Sequence, residues 1–121
     1  MANPNIVSVA RILANTVTGS ITTSNTVFHS NPASSGSVHK INSIIISNID
    51  GTANADFDLI MNNNGSNTFM IKTVVVPADS TLVAFDKNSS FYLMENSSIG
   101  GAASAADDLQ FTISLEQIYD A

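Results

Sequence analysis

The stretch VHKINSIIISNIDGTANADFDLIMNNNGSNTFMIKTVVV, residues 38–76, decides the fold class. It holds three apolar, β-branched runs, divided first by Asp50-Gly51 and then by Asn64-Gly65. Residues that tolerate positive φ suit tight primed turns, whose twist matches that of the flanking strands, so each pair is expected to close a hairpin. Ile44, Ile45 and Ile46 are consecutive, which predicts a central strand contacted on both faces. Phe57, Leu59 and Met61 alternate with Asp56, Asp58 and Asn62, as in a half-buried strand. Pro77 ends the third run, because it cannot donate to a ladder.

Outward from this stretch the same grammar continues. Residues 6–15 alternate weakly and read as a strand or an extended arm. Residues 16–24 (TVTGSITTS) are polar and β-branched, with Gly19 as an expected kink. A short strand is predicted at 26–29, and residues 31–37 (NPASSGS) form the clearest loop. Strands follow at 81–85 and 91–94. Residues 97–106 are small and read as flexible, with Gly100-Gly101 inside them and room for one helical turn at their end. The best amphipathic strand is the last, where Leu109, Phe111, Ile113 and Leu115 alternate with polar residues and Ile118 and Tyr119 prolong the pattern. The pattern predicts an all-β chain, an antiparallel β-sandwich or small jelly roll of seven to eight short strands. It divides into an N-terminal arm or first strand, residues 1–24, and a sandwich domain, residues 25–121.

Composition bounds what such a domain can do. A chain of 121 residues buries roughly 65% of its extended surface, enough for a core without staples. There is no Cys, which removes disulfides and thiolate metal sites. Only 12% of residues are charged, and Ser, Asn and Thr, about a third of the chain, supply the polarity instead. The net charge is −6 and the only cations are Arg11, Lys40, Lys72 and Lys87. Phosphate-binding faces need clustered Lys or Arg, so no nucleic-acid partner is expected, and no anionic membrane partner either. The longest unbroken apolar runs, such as Val74-Val75-Val76, fall far short of the ~20 residues that span a bilayer. The N-terminus lacks the basic and apolar regions of a secretory signal, so the expectation is a soluble chain made in the cytoplasm.

Reaction chemistry is sparse. His29 and His39 are the only histidines. Neither is paired in sequence with a nucleophile, and both are expected to be ordinary surface or rim residues. The nucleophile elbow, the P-loop and H-E-x-x-H are absent. Asn54, Asp56 and Asp58 have strand spacing that puts three oxygens on one face. A calcium loop would also need Gly at its sixth position and Glu at its twelfth, where Leu59 and Gly65 stand, so a solvated strand face is the simpler reading. No catalytic residue, cofactor or metal is expected, and the chain is read as not an enzyme. Trp is absent and aromatics are few, which counts against the stacked-sugar sites of carbohydrate-binding sandwiches.

The order of motifs resembles small β-sandwich virion proteins of tailed bacteriophages, of marine and cyanobacterial type. The matching features are a strand ending in Ser47-Asn48, the Phe57/Leu59/Met61 strand, Val76-Pro77-Ala78-x-x-Thr81-Leu82, Tyr92-Leu93, and a closing Phe111-Thr112-Ile113-Ser114-Leu115-Glu116-x-Ile118 strand. The resemblance covers about residues 25–121. It implies a non-enzymatic virion protein: a capsid decoration or cement protein that bridges head-shell subunits, or a component of the neck, tail or a fibre. Its partners would be the major capsid protein or a neck or tail protein, and further copies of itself. Its location would be the virion, after synthesis in the bacterial host's cytoplasm. From another class, a carbohydrate- or cell-surface-binding module remains the alternative. Free termini fray unless tied down. Ile6, Val7, Val9 and Ile12 are therefore the expected arm contacts to a neighbour, with Arg11 pairing an acidic partner group; pairing of this segment within its own sheet is the competing reading.

Overall fold

The computed structural model describes residues 9–120, with side chains from 10 to 119. These residues form nine strands: β1 (Val9–Ser20), β2 (Thr26–Asn31), β3 (Ser37–Asn48), β4 (Ala55–Asn63), β5 (Ser66–Val76), β6 (Thr81–Phe85), β7 (Phe91–Leu93), β8 (Ser97–Ala103) and β9 (Leu109–Asp120). One 3₁₀ turn, Lys87–Ser89, separates β6 from β7. The first sheet runs β1-β9-β3-β6, with β7 also pairing β3; the second runs β2-β8-β4-β5. Every pairing is antiparallel. The two sheets pack as a β-sandwich.

The pairing partners reveal how the chain is wound. β1 pairs β9, β2 pairs β8, β3 pairs β6 and β7, and β4 pairs β5. The chain is one long hairpin, folded back at the β4–β5 turn, whose successive strand pairs alternate between the sheets. That is jelly-roll winding. Its eight strand positions are filled by nine strands because β6 and β7 lie along β3 as two pieces. Asp86 caps the interruption between them, accepting from Asn88 N–H at 3.0 Å.

Asn64-Gly65 is the apex. Asn64 has φ +51° and Gly65 φ +97°, and Asn63 faces Ser66 across the turn. The expected second hairpin, at Asp50-Gly51, does not form: β3 and β4 lie in different sheets, and the positive-φ glycines are Gly36 and Gly65. The Asp50 carboxylate ties this crossover instead. Its Oδ1 accepts from the N–H groups of Thr52 and Ala53 at 2.8 and 3.1 Å. Asn48 Oδ1 in turn accepts from Asp50 N–H at 2.9 Å. Asx side chains of this kind compete with hairpin turns for the backbone.

Residues 97–103, read as flexible, are the ordered central strand β8. A Cβ on Gly100 would sit 2.2 Å from Thr26 O, and one on Gly101 would sit 2.0 Å from Asp58 O. Small residues here admit close approach of β2 and β4 rather than motion. Gly19 does not kink β1, whose register with β9 runs unbroken from Arg11 to Ser20. A Cβ there would lie 2.9 Å from the Phe111 ring, which stacks on Phe28 at 4.3 Å between centroids. Phe57, Leu59, Ile41, Ile44, Ile46, Leu93 and Ile113 complete the dry centre between the sheets. β3, expected to be contacted on both faces, buries Ile44 and Ile46 toward that centre, while Ile45 points away from it and is half-buried.

Candidate functional site

Ile6 and Val7 lie outside the described residues. The backbone of Val9 pairs with Asp120, and Arg11 with Tyr119. The Arg11 guanidinium stacks on the Tyr119 ring, 4.2 Å from its centroid. Ile12 faces solvent at 53% exposure, and so does its neighbour Leu13 at 42%. Residues 9–20, expected as an arm or first strand, thus form an edge strand of the first sheet.

Among the described residues, the outer edges of the end strands have no strand partner, and N–H and C=O groups line them. The edges differ. β5 carries two register breaks against β4. Thr73 on it has φ +55°, an unusual conformation for a β-branched residue, held by Asp58 Oδ1 accepting its N–H at 2.7 Å. β2 is six residues long with a break between Val27 and His29, and β6 is five residues long. β1 is twelve residues long and regular from Arg11 to its end.

The second sheet also exposes an apolar row on its outer face. Val27 faces Gly100, Gly100 faces Ile60, and Ile60 faces Phe69, one residue from each of four strands. Val27 and Phe69 are 61% and 49% exposed. Gly100 floors a shallow groove of about 170 Å³ between Val27 and Ile60, with Asn62 and Asn67 at one end. Nothing local in the sequence marks this row, because its members are brought together only by the register of four strands. Tyr92 is exposed on β7, in the opposite sheet from Phe69, so the two do not form one aromatic cluster.

A polar cluster joins the sheets at one end. His29 Nε2 on β2 lies 2.8 Å from His39 Nδ1 on β3, a hydrogen bond whose donor is set by the tautomers. His39 Nε2 lies 3.2 Å from Ser37 Oγ. Asn31 donates to Ser37 O and Leu93 O at 2.9 and 3.1 Å, and Gly36 N–H donates to Glu95 Oε2 at 2.8 Å. The expectation of surface or rim histidines fails for His39, which is 3% exposed. Burial lowers the pKa of both imidazoles; for His39 it acts together with the charge of His29 and takes the value to about 4. The sequence signal that could have found the pair is weak: each histidine sits beside the 31–37 loop, one on either side.

Of the residues at positions 54, 56 and 58, two have their side-chain oxygens engaged by backbone N–H groups. Asn54 Oδ1 accepts from Ala78 N–H at 3.1 Å, and Asp58 is taken by Thr73. At the opposite end, Asp50 is held below the usual carboxylate range by the N–H groups of Thr52 and Ala53, and Asp108 beside it is raised, first by lost hydration and then by the Asp50 charge. Among the described residues no group of three or more His, Asp or Glu is placed to hold a metal ion. No helix among them is long and apolar enough to cross a membrane.

No family model and no curated protein matches the chain. Among solved structures, a chain from the work described as "Bacillus endospore appendages form a novel family of disulfide-linked pili" superposes with a TM-score of 0.54 at 15% identity, over 90% of this chain and 89% of that one. At that identity the likeness is one of fold: the same sandwich, built from a different sequence.

Proposed function

We propose that this chain is a non-enzymatic structural subunit that works by assembling in many copies. Following its resemblance to β-sandwich virion proteins, we assign it to a tailed-phage virion as a head decoration protein bridging shell subunits. The observation that carries the structural reading is where the exposed apolar side chains sit. Ile12 and Leu13 on β1, Val27 on β2, Phe69, Val74 and Val75 on β5 and Val83 on β6 lie on the four outermost strands of the two sheets; Ile49, in the β3–β4 crossover, and Tyr92, on β7, are the other exposed large apolar side chains among the described residues. A chain this poor in charge leaves such surfaces to be covered by protein. The neck, tail or a fibre is the alternative place within the virion.

The fold likeness favours a second setting, a filament subunit, since the matched chain comes from pili. Disulfide linkage does not transfer, because this chain has no Cys. Copy number separates the settings. An antibody to this chain should find hundreds of copies per phage particle for a shell protein, and a dozen or fewer for a neck or tail protein. Labelling of extended fibres outside particles would replace the virion with an appendage. A glycan-array signal lost in Phe69→Ala would move the chain to the carbohydrate-binding class.

A further inference from the structure

We infer that β1 is the docking edge for a second copy of this chain, the two β1 strands pairing antiparallel about a two-fold axis at Asn15. The inference rests on the multi-copy reading and names its first contact. β1 is the longest of the edge strands and the one with unbroken register over ten residues, Arg11 to Ser20. The others are short or bulged, and bulges and short length are how sheets protect an edge.

Charge permits this contact, as it would at β2, β5 and β6, which also carry no Asp or Glu. Two copies of a chain carrying −6 repel. β1 contains no Asp or Glu, and its one charged side chain is Arg11. The two chains can therefore meet here without opposing carboxylates on the paired strands.

The register follows from self-complementarity. Opposed residues of an antiparallel pair share a face, so a two-fold axis passes through a residue position. Centred on Asn15, residues 10–20 all find partners. Leu13 then faces Val17 of the second copy, and Val17 faces its Leu13. Both lie on the core side of β1, in step with buried Ile113 and Leu115 on β9, yet Leu13 is 42% exposed and Val17 half-buried. The pairing closes over both. Arg11 faces Gly19, and the two Arg11 side chains stand about 27 Å apart. On the outer face Ile12 meets Thr18, and Ala14 meets Thr16. The first sheets of the two copies become one continuous sheet, an isologous contact.

The absence of native Cys makes cross-linking a clean test. Opposed Cα atoms in an antiparallel pair lie about 4.5–5.5 Å apart, within disulfide reach. Asn15→Cys should give a covalent dimer on mild oxidation. Leu13→Cys alone should not, since its two copies would sit about 14 Å apart. Leu13→Cys combined with Val17→Cys should restore the dimer. Asn15→Asp, at an exposed position, should raise the dimer dissociation constant by up to roughly fivefold by setting two carboxylates face to face. Cross-linking by Leu13→Cys alone, or none by Asn15→Cys in a chain that self-associates, would overturn the β1 pairing and leave the multi-copy reading standing. An unmodified chain that stays monomeric at every concentration would overturn both. If the double variant fails to fold, Asn15→Cys decides alone.

Discussion

At the scale of single residues, close backbone approach and a buried hydrogen-bonded imidazole pair make this sandwich sensitive to substitution. Gly100 and Gly101 are fixed by backbone atoms of β2 and β4, which cannot yield as a flexible side chain could. Gly101→Ala should therefore destabilise by about 3 kcal/mol or more, or leave the chain insoluble, as read by thermal unfolding monitored by circular dichroism. The His29–His39 pair makes a pH prediction. Both imidazoles are neutral in the fold, with folded pKa values below the unfolded 6.5. The unfolded chain binds more protons as pH falls through 6.5, so stability is full above that value and is lost down to about 4, where His39 itself titrates. The loss should be on the order of 2 kcal/mol after allowing for water access. A melting temperature that falls from pH 7 to pH 4.5, and falls less in a His29→Gln/His39→Gln variant, is the expected result. None of this was legible beforehand, because an isolated His, like a Gly-Gly pair, carries no local sign of what the register places beside it.

At the scale of elements, alternation was legible and partnership was not. The strands over residues 55–61 and 109–115 stand where their period-two patterns predict, a strand stands at 81–85 as expected, and Asn64-Gly65 turns as its residues require. Asp50-Gly51 carries the same local signal yet crosses between sheets, since Asx hydrogen bonds satisfy the backbone there without a hairpin. The two sites should respond differently. Gly65→Ala should cost about 1–2 kcal/mol, because φ +97° is strained for any Cβ. Gly51→Ala should be close to neutral, since a Cβ there meets Asp79 Oδ2 at an ordinary 3.5 Å. Urea unfolding of both variants measures the difference. Thr73→Gly should stabilise β5 by about 0.5–1 kcal/mol by relieving a β-branched residue at φ +55°.

At the scale of the whole molecule, the fold class followed from periodicity, whereas the winding depends on pairings such as β1 with β9 that join the two ends of the chain. No local pattern encodes these, and so the arm-or-strand choice for residues 9–20 stayed open until their pairing partner was known. The jelly roll leaves edges and an outer face exposed among the described residues, and the proposal is that further copies of this chain cover them. Light scattering on the purified chain across a wide concentration range tests it most directly. The predicted result is a mass of twice the chain, or a multiple of that, falling toward the monomer in Asn15→Asp. A single-chain mass at every concentration would contradict the account.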